Sequence, residues 1–373
     1  MRIQVYISKF KKSILCLIVF CIILILLSNA HQIQALSKIH RLQNFIKDLY
    51  ISLDQEYAAP KVVLGSQGDF WIVFNNGKLY FYQSQNSSRN YVSSFLYSYN
   101  GKTFSKLYSP GFGYDKCDCI GMIDNRIYFL RYSVSSNSTT IISHNLENGE
   151  SKELYHKDTK FIVIAEHIID DCLYVELMNI NADTFYIKID QERILEIQDK
   201  SLMFKIQNNS FYLDRRTGIT ENSILSIQND NSNNSISHSL GMASSSQVIS
   251  FMNGTMIHNE GGNDILYFID ENALIHKVFN VDCMFSSSKL CWVKNNLILS
   301  LVAYNGFNDI FPIKTDDTGT YRIDVYKFSI QRISDTYYEK LFVLDDNRFL
   351  GITPESEIEV FDLTGVPLYQ VRH

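Results

Sequence analysis

The sequence predicts an all-β fold, a seven-bladed propeller, held behind one N-terminal apolar segment. Three observations carry this expectation. A tight turn followed by an apolar or aromatic strand recurs seven times after Tyr57, at a spacing of about 45 residues, which suits four-stranded propeller blades. A second strand–turn–strand pattern follows the clearest copies. Proline and long helical periodicity are both scarce over the same stretch, as expected of short strands joined by polar turns.

Upstream of the repeats, residues 1–12 hold Arg2, Lys9, Lys11 and Lys12, and no acid occurs before Asp48. Ile14 to Leu27 is an unbroken run of fourteen apolar residues. A basic flank before such a run stays in the cytoplasm while the following chain crosses the membrane. At 1.5 Å per residue, a helix from Ser13 to Ala30 reaches about 27 Å, close to a bilayer core of about 30 Å. Residues 13–30 are therefore read as an uncleaved signal anchor in the lipid bilayer, with the C-terminal domain outside the cytoplasm. The competing reading is cleavage near Ala30, after the small-x-small sequence Ser28-Asn29-Ala30, which would release a secreted protein. Residues 31–57 lack Gly and Pro, and Leu36, Ile39, Leu42, Phe45, Ile46 and Leu49 fall broadly on one side of a helix. They are expected to form a helical stalk leading to the propeller at 61–373.

The turn motif reads NGKLYF from Asn76, DNRIYF from Asp124, DDCLYV from Asp170, NNSFYL from Asn208, NGTMI from Asn253, NNLIL from Asn295 and DNRFL from Asp346. Asn-Gly and Asp-Asn pairs tolerate positive φ, so they turn the chain from a blade's first strand into its second. The residues that follow alternate between the two faces packed on neighbouring blades. The second pattern, at 95–108, 141–155, 185–197, 266–278 and 358–371, supplies the outer hairpin; two hairpins per period give four strands. The polar tract NDNSNNSISHS reads as a long loop in the fourth unit, and 303–321 as an insertion in the sixth, so six or eight blades stay open beside seven.

The final unit, NRFLGITPESEIEVFDLTGVPLYQV (347–371), resembles a blade of the NHL-repeat propellers. The earlier units resemble uncharacterised bacterial extracytoplasmic propellers related to the low-density-lipoprotein-receptor type. The likeness spans roughly 61–373 and implies architecture more than function. The chain departs from the better-known signatures. It has no Tyr-Trp-Thr-Asp motif, no Gly-His…Trp-Asp pair, no kelch double glycine and no sialidase aspartate box.

Charge narrows the partners. Without its first thirty residues the chain keeps thirty basic against forty acidic residues, a net of about −10, which opposes nucleic acid or anionic lipid as a main partner. Cys16 and Cys21 lie in the apolar segment; Cys117, Cys119, Cys172, Cys283 and Cys291 make an odd number beyond it. Cys117-Asp118-Cys119 could be a metal or redox pair, but in a strand both sulfurs share one face, and core packing is the simpler explanation. A Cys283–Cys291 bridge across a hairpin is left open. Sequons at Asn86, Asn137, Asn208, Asn233 and Asn253 carry glycans only in a eukaryotic source.

The search for chemistry assigns no catalytic, cofactor-binding or metal residue. His144, His156, His167, His238, His258, His276 and His373 are dispersed and read as surface or strand positions. No G-x-S-x-G or P-loop occurs, and Gly111-Phe112-Gly113 lacks a third glycine. Asp170-Asp171, Asp316-Asp317 and Asp345-Asp346 suit turns better than paired acid/base catalysis. The loop Lys314 to Thr320 has calcium-loop chemistry in outline, without the alternating acids or the distal Glu. Trp71 and Trp292 read as packing between blades rather than sugar platforms.

Two functions fit this sequence. The first is a membrane-held, non-enzymatic domain presenting a propeller face to a protein or peptide. The alternative is a glycan-binding or glycan-cleaving propeller, with loops 229–247 and 303–321 forming a groove. A sensor for a small ligand is a third, weaker reading.

Overall fold

Positive backbone φ at short polar turns sets the architecture. Asn76 and Gly77 (φ 48° and 68°), Asp124 (50°) and Asp170 and Asp171 (49° and 58°) each occupy the left-handed region that Asn, Asp and Gly tolerate best. Each joins two strands in a tight antiparallel hairpin. The computed structural model describes residues 42–65, 70–86, 92–113, 115–197, 201–214, 222–230, 235–242, 245–251, 254–308 and 311–371. The chain divides into two units, 1–52 and 53–373. In the first, a helix (α1, 42–52) buries Phe45, Ile46 and Leu49. Among the described residues no helix is long and apolar enough to cross a membrane, and the predicted segment 13–30 lies outside them.

The second unit is an all-β propeller. After β1 (Val62–Leu64), six meanders of four strands and one of five follow one another among the described residues. The first is β2–β5 (Phe70–Asn75, Lys78–Asn86, Val92–Tyr99, Phe104–Gly113), and the second is β6–β9 (Lys116–Ile123, Arg126–Ser133, Ser138–Asn145, Ser151–Lys157). The third is β10–β13 (Phe161–Ile169, Cys172–Asn179, Thr184–Asp190, Arg193–Ile197), and the fourth is β14–β17 (Ser201–Ile206, Asn209–Asp214, Asn222–Asn229, Ser235–Met242). The fifth is β18–β21 (Ser245–Phe251, Gly254–Glu260, Asp264–Asp270, Ile275–Asn280). The sixth contains β22–β26 (Phe285–Val293, Asn296–Asn308, Phe311–Lys314, Gly319–Asp324, Ser329–Ser334), and the last is β27–β30 (Lys340–Asp345, Arg348–Ile352, Ile358–Asp362, Pro367–Val371).

They form six hydrogen-bonded sheets, five of four or five strands and one of eight, so among the described residues five separate blades stand in place of the seven expected from the sequence. The innermost strands of the third and fifth, β10 and β18, pair in parallel at Ile168 and Ile249, which merges them into one eight-stranded sheet. The fourth meander packs between their faces: Leu202, Phe204, Phe211 and Leu225 share a core with Tyr174, Tyr186, Ile257 and Tyr267.

Three local expectations are corrected. The end of the polar tract is strand, since β17 pairs with β16 from Ser235 onward, although Ser235 to Ser239 are exposed on both faces, Ile236 at 60%. The insertion at 303–321 is an extension of β23, against which β24 folds back. The turns expected at Asn208 and Asn295 begin one residue earlier, with Gln207 and Lys294 taking the positive φ (51° and 55°).

Neighbouring meanders meet through apolar side chains and buried tyrosines. Tyr82 packs on Phe129 with ring centroids 5.3 Å apart and donates its hydroxyl to Cys117 O at 2.7 Å. Tyr128 does the same to Gln191 O at 2.6 Å, and Tyr267 to Leu240 O at 2.9 Å. The ring thus gains apolar burial, roughly 1.5–3 kcal/mol per large side chain, without leaving phenol groups unsatisfied.

The first and last meanders exchange no strand among the described residues; Phe70 and Phe342 meet edge-to-face at 5.8 Å. Closure comes from the segment that enters the propeller. Asp54 N donates to Asp345 Oδ2 in the last meander at 3.3 Å, Tyr57 O accepts from Asn76 N in the first at 3.3 Å, and Lys61 O accepts from Asp124 N in the second at 2.7 Å. The segment then becomes β1 and pairs with β6. That approach requires Gly65, where a Cβ would stand 2.1 Å from Cys119 O.

Asp345 is 1% exposed and also accepts from Asn347 N at 2.9 Å. Asp345→Ala leaves both amide donors without their acceptor and is expected to cost about 2–3 kcal/mol in urea unfolding. Lys61→Ala, which removes only an exposed ion pair to Asp171, is expected to cost less than about 1 kcal/mol.

A candidate binding channel

The innermost strands enclose a central cavity of about 520 Å³. Their alternation decides its character. Toward the turn end of these strands the lining is apolar: Ile72, Ile168, Ile249, Leu341 and Val343. Toward the end where the strands begin it is polar: Ser245, Gln247, Ser287, Lys289, Tyr337 and Glu339.

The polar end is organised around Glu260 at the end of β19. Lys289 Nζ lies 2.7 Å from Glu260 Oε1, Ser287 Oγ donates to the same oxygen at 2.9 Å, and Ser245 Oγ reaches Oε2 at 3.4 Å. Tyr337 OH lies 3.3 Å from Ser287 Oγ. Burial pushes the Glu260 carboxyl up, but the Lys289 ammonium and the bonds from Lys289 and Ser287 outweigh it and hold it below the ordinary value. One residue pair behind, His258 Nε2 lies 2.7 Å from Ser288 Oγ and ties the fifth meander to the sixth. Burial lowers this imidazole to about 4, so it is neutral at pH 7.

Across the cavity stands Glu166, in the middle of β10 and 2% exposed. Its carboxyl is held by the Gly65 amide, while Oε1 has no hydrogen-bond partner. Burial, and then the nearby Asp118, raise it well above the usual carboxylate range; the Gly65 bond and Lys289 oppose the shift without cancelling it. The next residue, His167, faces away from the cavity lining and accepts from Val248 N at Nδ1 (3.0 Å), which fixes it as the Nε2–H tautomer.

Most residues singled out from sequence lie elsewhere. Cys117, Cys119, Cys172, Cys283 and Cys291 are all buried free thiols, and burial raises each thiol's pKa. Cys283 belongs to the core between the fifth and sixth meanders and Cys291 to that between the sixth and the last, so the two sulfurs face different layers. In the loop from Lys314 to Thr320, Arg332 donates to Asp316 O at 3.0 Å and to Thr318 O at 2.5 Å, so a guanidinium already occupies the carbonyls that a cation would use. The acid pairs sit at turns: Asp170 and Asp171 have positive φ, and Asp345 caps its own hairpin. Trp71 is fully buried and donates to Leu64 O at 3.0 Å; Trp292 lines the cavity. His144 and His258 are buried strand residues, and only His258 reaches the channel.

Sequence reasoning missed Glu166, Glu260 and Lys289. A signal was present for Glu166, since FIVIAEHII places a carboxylate in a largely apolar inner strand, whereas Glu260 follows the polar His258 and Asn259 in GTMIHNE.

Two buried groups give pH effects of opposite sign. His258 has a lowered folded pKa, so its contribution is complete above the unfolded value of about 6.5 and is lost as pH falls through about 4. Glu166 has a raised folded pKa, so its contribution is complete below its unfolded value and is lost as pH rises through the folded one. Between pH 7 and 4 the stability advantage of the native protein over His258→Gln is expected to shrink by about 3 kcal/mol. The advantage over Glu166→Gln is expected to grow over the same interval. Unfolding free energies measured across this range check both signs.

No protein-family model matches the chain, and the curated proteins contain no match. Solved structures do match in fold. The β-propeller domain of the Trilobed protease from Pyrococcus furiosus, described as having an open velcro topology, superposes with a TM-score of 0.50 at 12% identity over 83% of this chain and 98% of that one. TolB from Acinetobacter baumannii gives 0.41 at 10% identity over 81% and 65%. An acylaminoacyl peptidase in complex with a chloromethyl ketone gives 0.47 at 10% identity, and this chain spans about half of it (53%). At such identities the likeness establishes a β-propeller and nothing about activity.

Proposed function

We infer that this chain is a membrane-anchored extracytoplasmic recognition domain that binds a protein or peptide segment at the polar mouth of its channel, without chemistry of its own. Residues 13–30 serve as the anchor of an extracytoplasmic propeller. The observation that carries the reading is the cavity itself. A recess of about 520 Å³ with an apolar floor and a rim of Lys289, Glu260, Ser287 and Tyr337 is built as binding sites are, apolar walls with a few converging polar groups. The hydroxyl nearest a histidine, on Ser288, is fully buried between two meanders and holds them together, so it serves packing rather than attack on a substrate.

A photo-crosslinking residue in place of Tyr337, in cells expressing the full-length chain, is expected to give one saturable protein adduct in the membrane fraction. The same residue at exposed Leu195, on the outer strand β13, is expected to give none. Equal labelling at both positions, or none at Tyr337, contradicts recognition at the mouth. Recovery of the chain in the medium, cut near Ala30, contradicts the anchor.

A further inference from the structure

Glu166 poses a specific physical problem. It is an acid placed in an inner strand between apolar residues, it is 2% exposed, and one carboxyl oxygen has no partner. A buried polar atom left unpaired costs about 1–3 kcal/mol, and more if charged. An apolar residue of similar size, such as Leu or Met, would avoid that cost. The neighbours do not relieve it. Asp118, on β6, is another carboxylate, and its salt bridge goes to Lys116 at 3.5 Å. Lys289 is held by Glu260 at 2.7 Å on the other wall, and Cys119 is a buried neutral thiol. With Glu166 protonated, the lining balances Glu260 and Glu339 against Lys289 and Lys340, so it carries no excess positive charge to pair with Glu166 once that acid ionises.

We propose that the channel receives the side chain of a lysine, or of an arginine, from a bound protein segment, with Glu166 as its counter-ion. The methylene stem of such a side chain suits the apolar lining at Ile164 and Ala165, which precede Glu166 on β10, and its head supplies the donor that Glu166 Oε1 lacks. This deepens the recognition reading and rests on it: the rim around Glu260 and Lys289 would hold the backbone of the segment, and Glu166 would select the residue that enters. Binding is then coupled to a proton. The empty channel keeps Glu166 protonated, with Asp118, Cys119 and Lys289 as the titratable groups that act on it. An arriving ammonium makes the carboxylate the favoured form, and the proton leaves to solvent.

Calorimetric titration of the full-length protein with Nα-acetyl-lysine methylamide tests this, with Nα-acetyl-norleucine methylamide as the probe of equal stem and no charge. Near pH 5.5, in two buffers of different ionisation enthalpy, the lysine probe is expected to release about one proton per molecule bound. It is expected to bind at least about tenfold more tightly than norleucine, a difference of about 1.4 kcal/mol. Glu166→Gln, which keeps shape and removes charge, is expected to abolish both the preference and the proton release. Equal binding of the two probes, or binding of lysine without proton release, overturns the proposal on the native protein alone. The Tyr337 crosslink in the Glu166→Gln background separates the two readings. An adduct that still forms, beside a native protein that does not prefer lysine, sinks the counter-ion role and leaves recognition at the mouth standing.

Discussion

Ring closure is the constraint on which the rest of this propeller depends. A closed ring of meanders needs its first and last members joined, and many propellers do so by lending a strand across the seam. Here the seam carries an aromatic contact, Phe70 on Phe342, and the joining is done from one end of the strands. The segment from Asp54 to Leu64 runs over three successive hairpin turns and donates to or accepts from each in order, last, first and second. Main-chain bonds of this kind are worth about 1 kcal/mol each, but they hold three sheets in register at once. The arrangement also explains why the turns are so polar. Asp345, Asn76 and Asp124 must leave a main-chain or side-chain group to meet the crossing segment as well as complete their own hairpins.

The channel follows from that closure. Because β1 is laid beside β6, and β10 pairs directly with β18, the inner strands are brought close around a recess of about 520 Å³. Its two ends differ largely because β18 and β22 pass from polar stretches, Ser245 to Gln247 and Ser286 to Lys289, to apolar finishes. Glu260, Lys289 and Ser287 form a neutralised set at the polar end, while Glu166 is left with an oxygen that nothing in the fold requires. Stability alone would not select such a group; a carboxyl kept buried and incompletely paired is the usual mark of a place where something binds.

How much of this was legible beforehand depends on the kind of signal. The first-hairpin turns were readable from Asn-Gly and Asp-Asn pairs because their chemistry is local, and the outer hairpins from simple alternation. Gln207 and Lys294 displaced two turns by a residue, since strand register overrides the better turn-former next door. The strand at Ser235–Met242 was hidden by polarity, because its Ser-rich sequence lacks the apolar run that marks most strands. The merging of β10 with β18 was not readable at all: a single parallel contact between segments some eighty positions apart leaves no mark in either sequence. The binding recess was hidden for a related reason. Glu166, Glu260 and Lys289 come from three different strands and meet only once the ring is closed.

The central claim is therefore closure by the entering segment, and backbone hydrogen exchange at Asn76 and Asp124 tests it most directly. Both amides donate to that segment, to Tyr57 O and Lys61 O. The account predicts that they exchange as slowly as amides of the inner strands, and that replacing residues 54–61 with a Gly-Ser stretch exposes both together. Exchange at Asn76 and Asp124 at the rate of an unstructured peptide would contradict it.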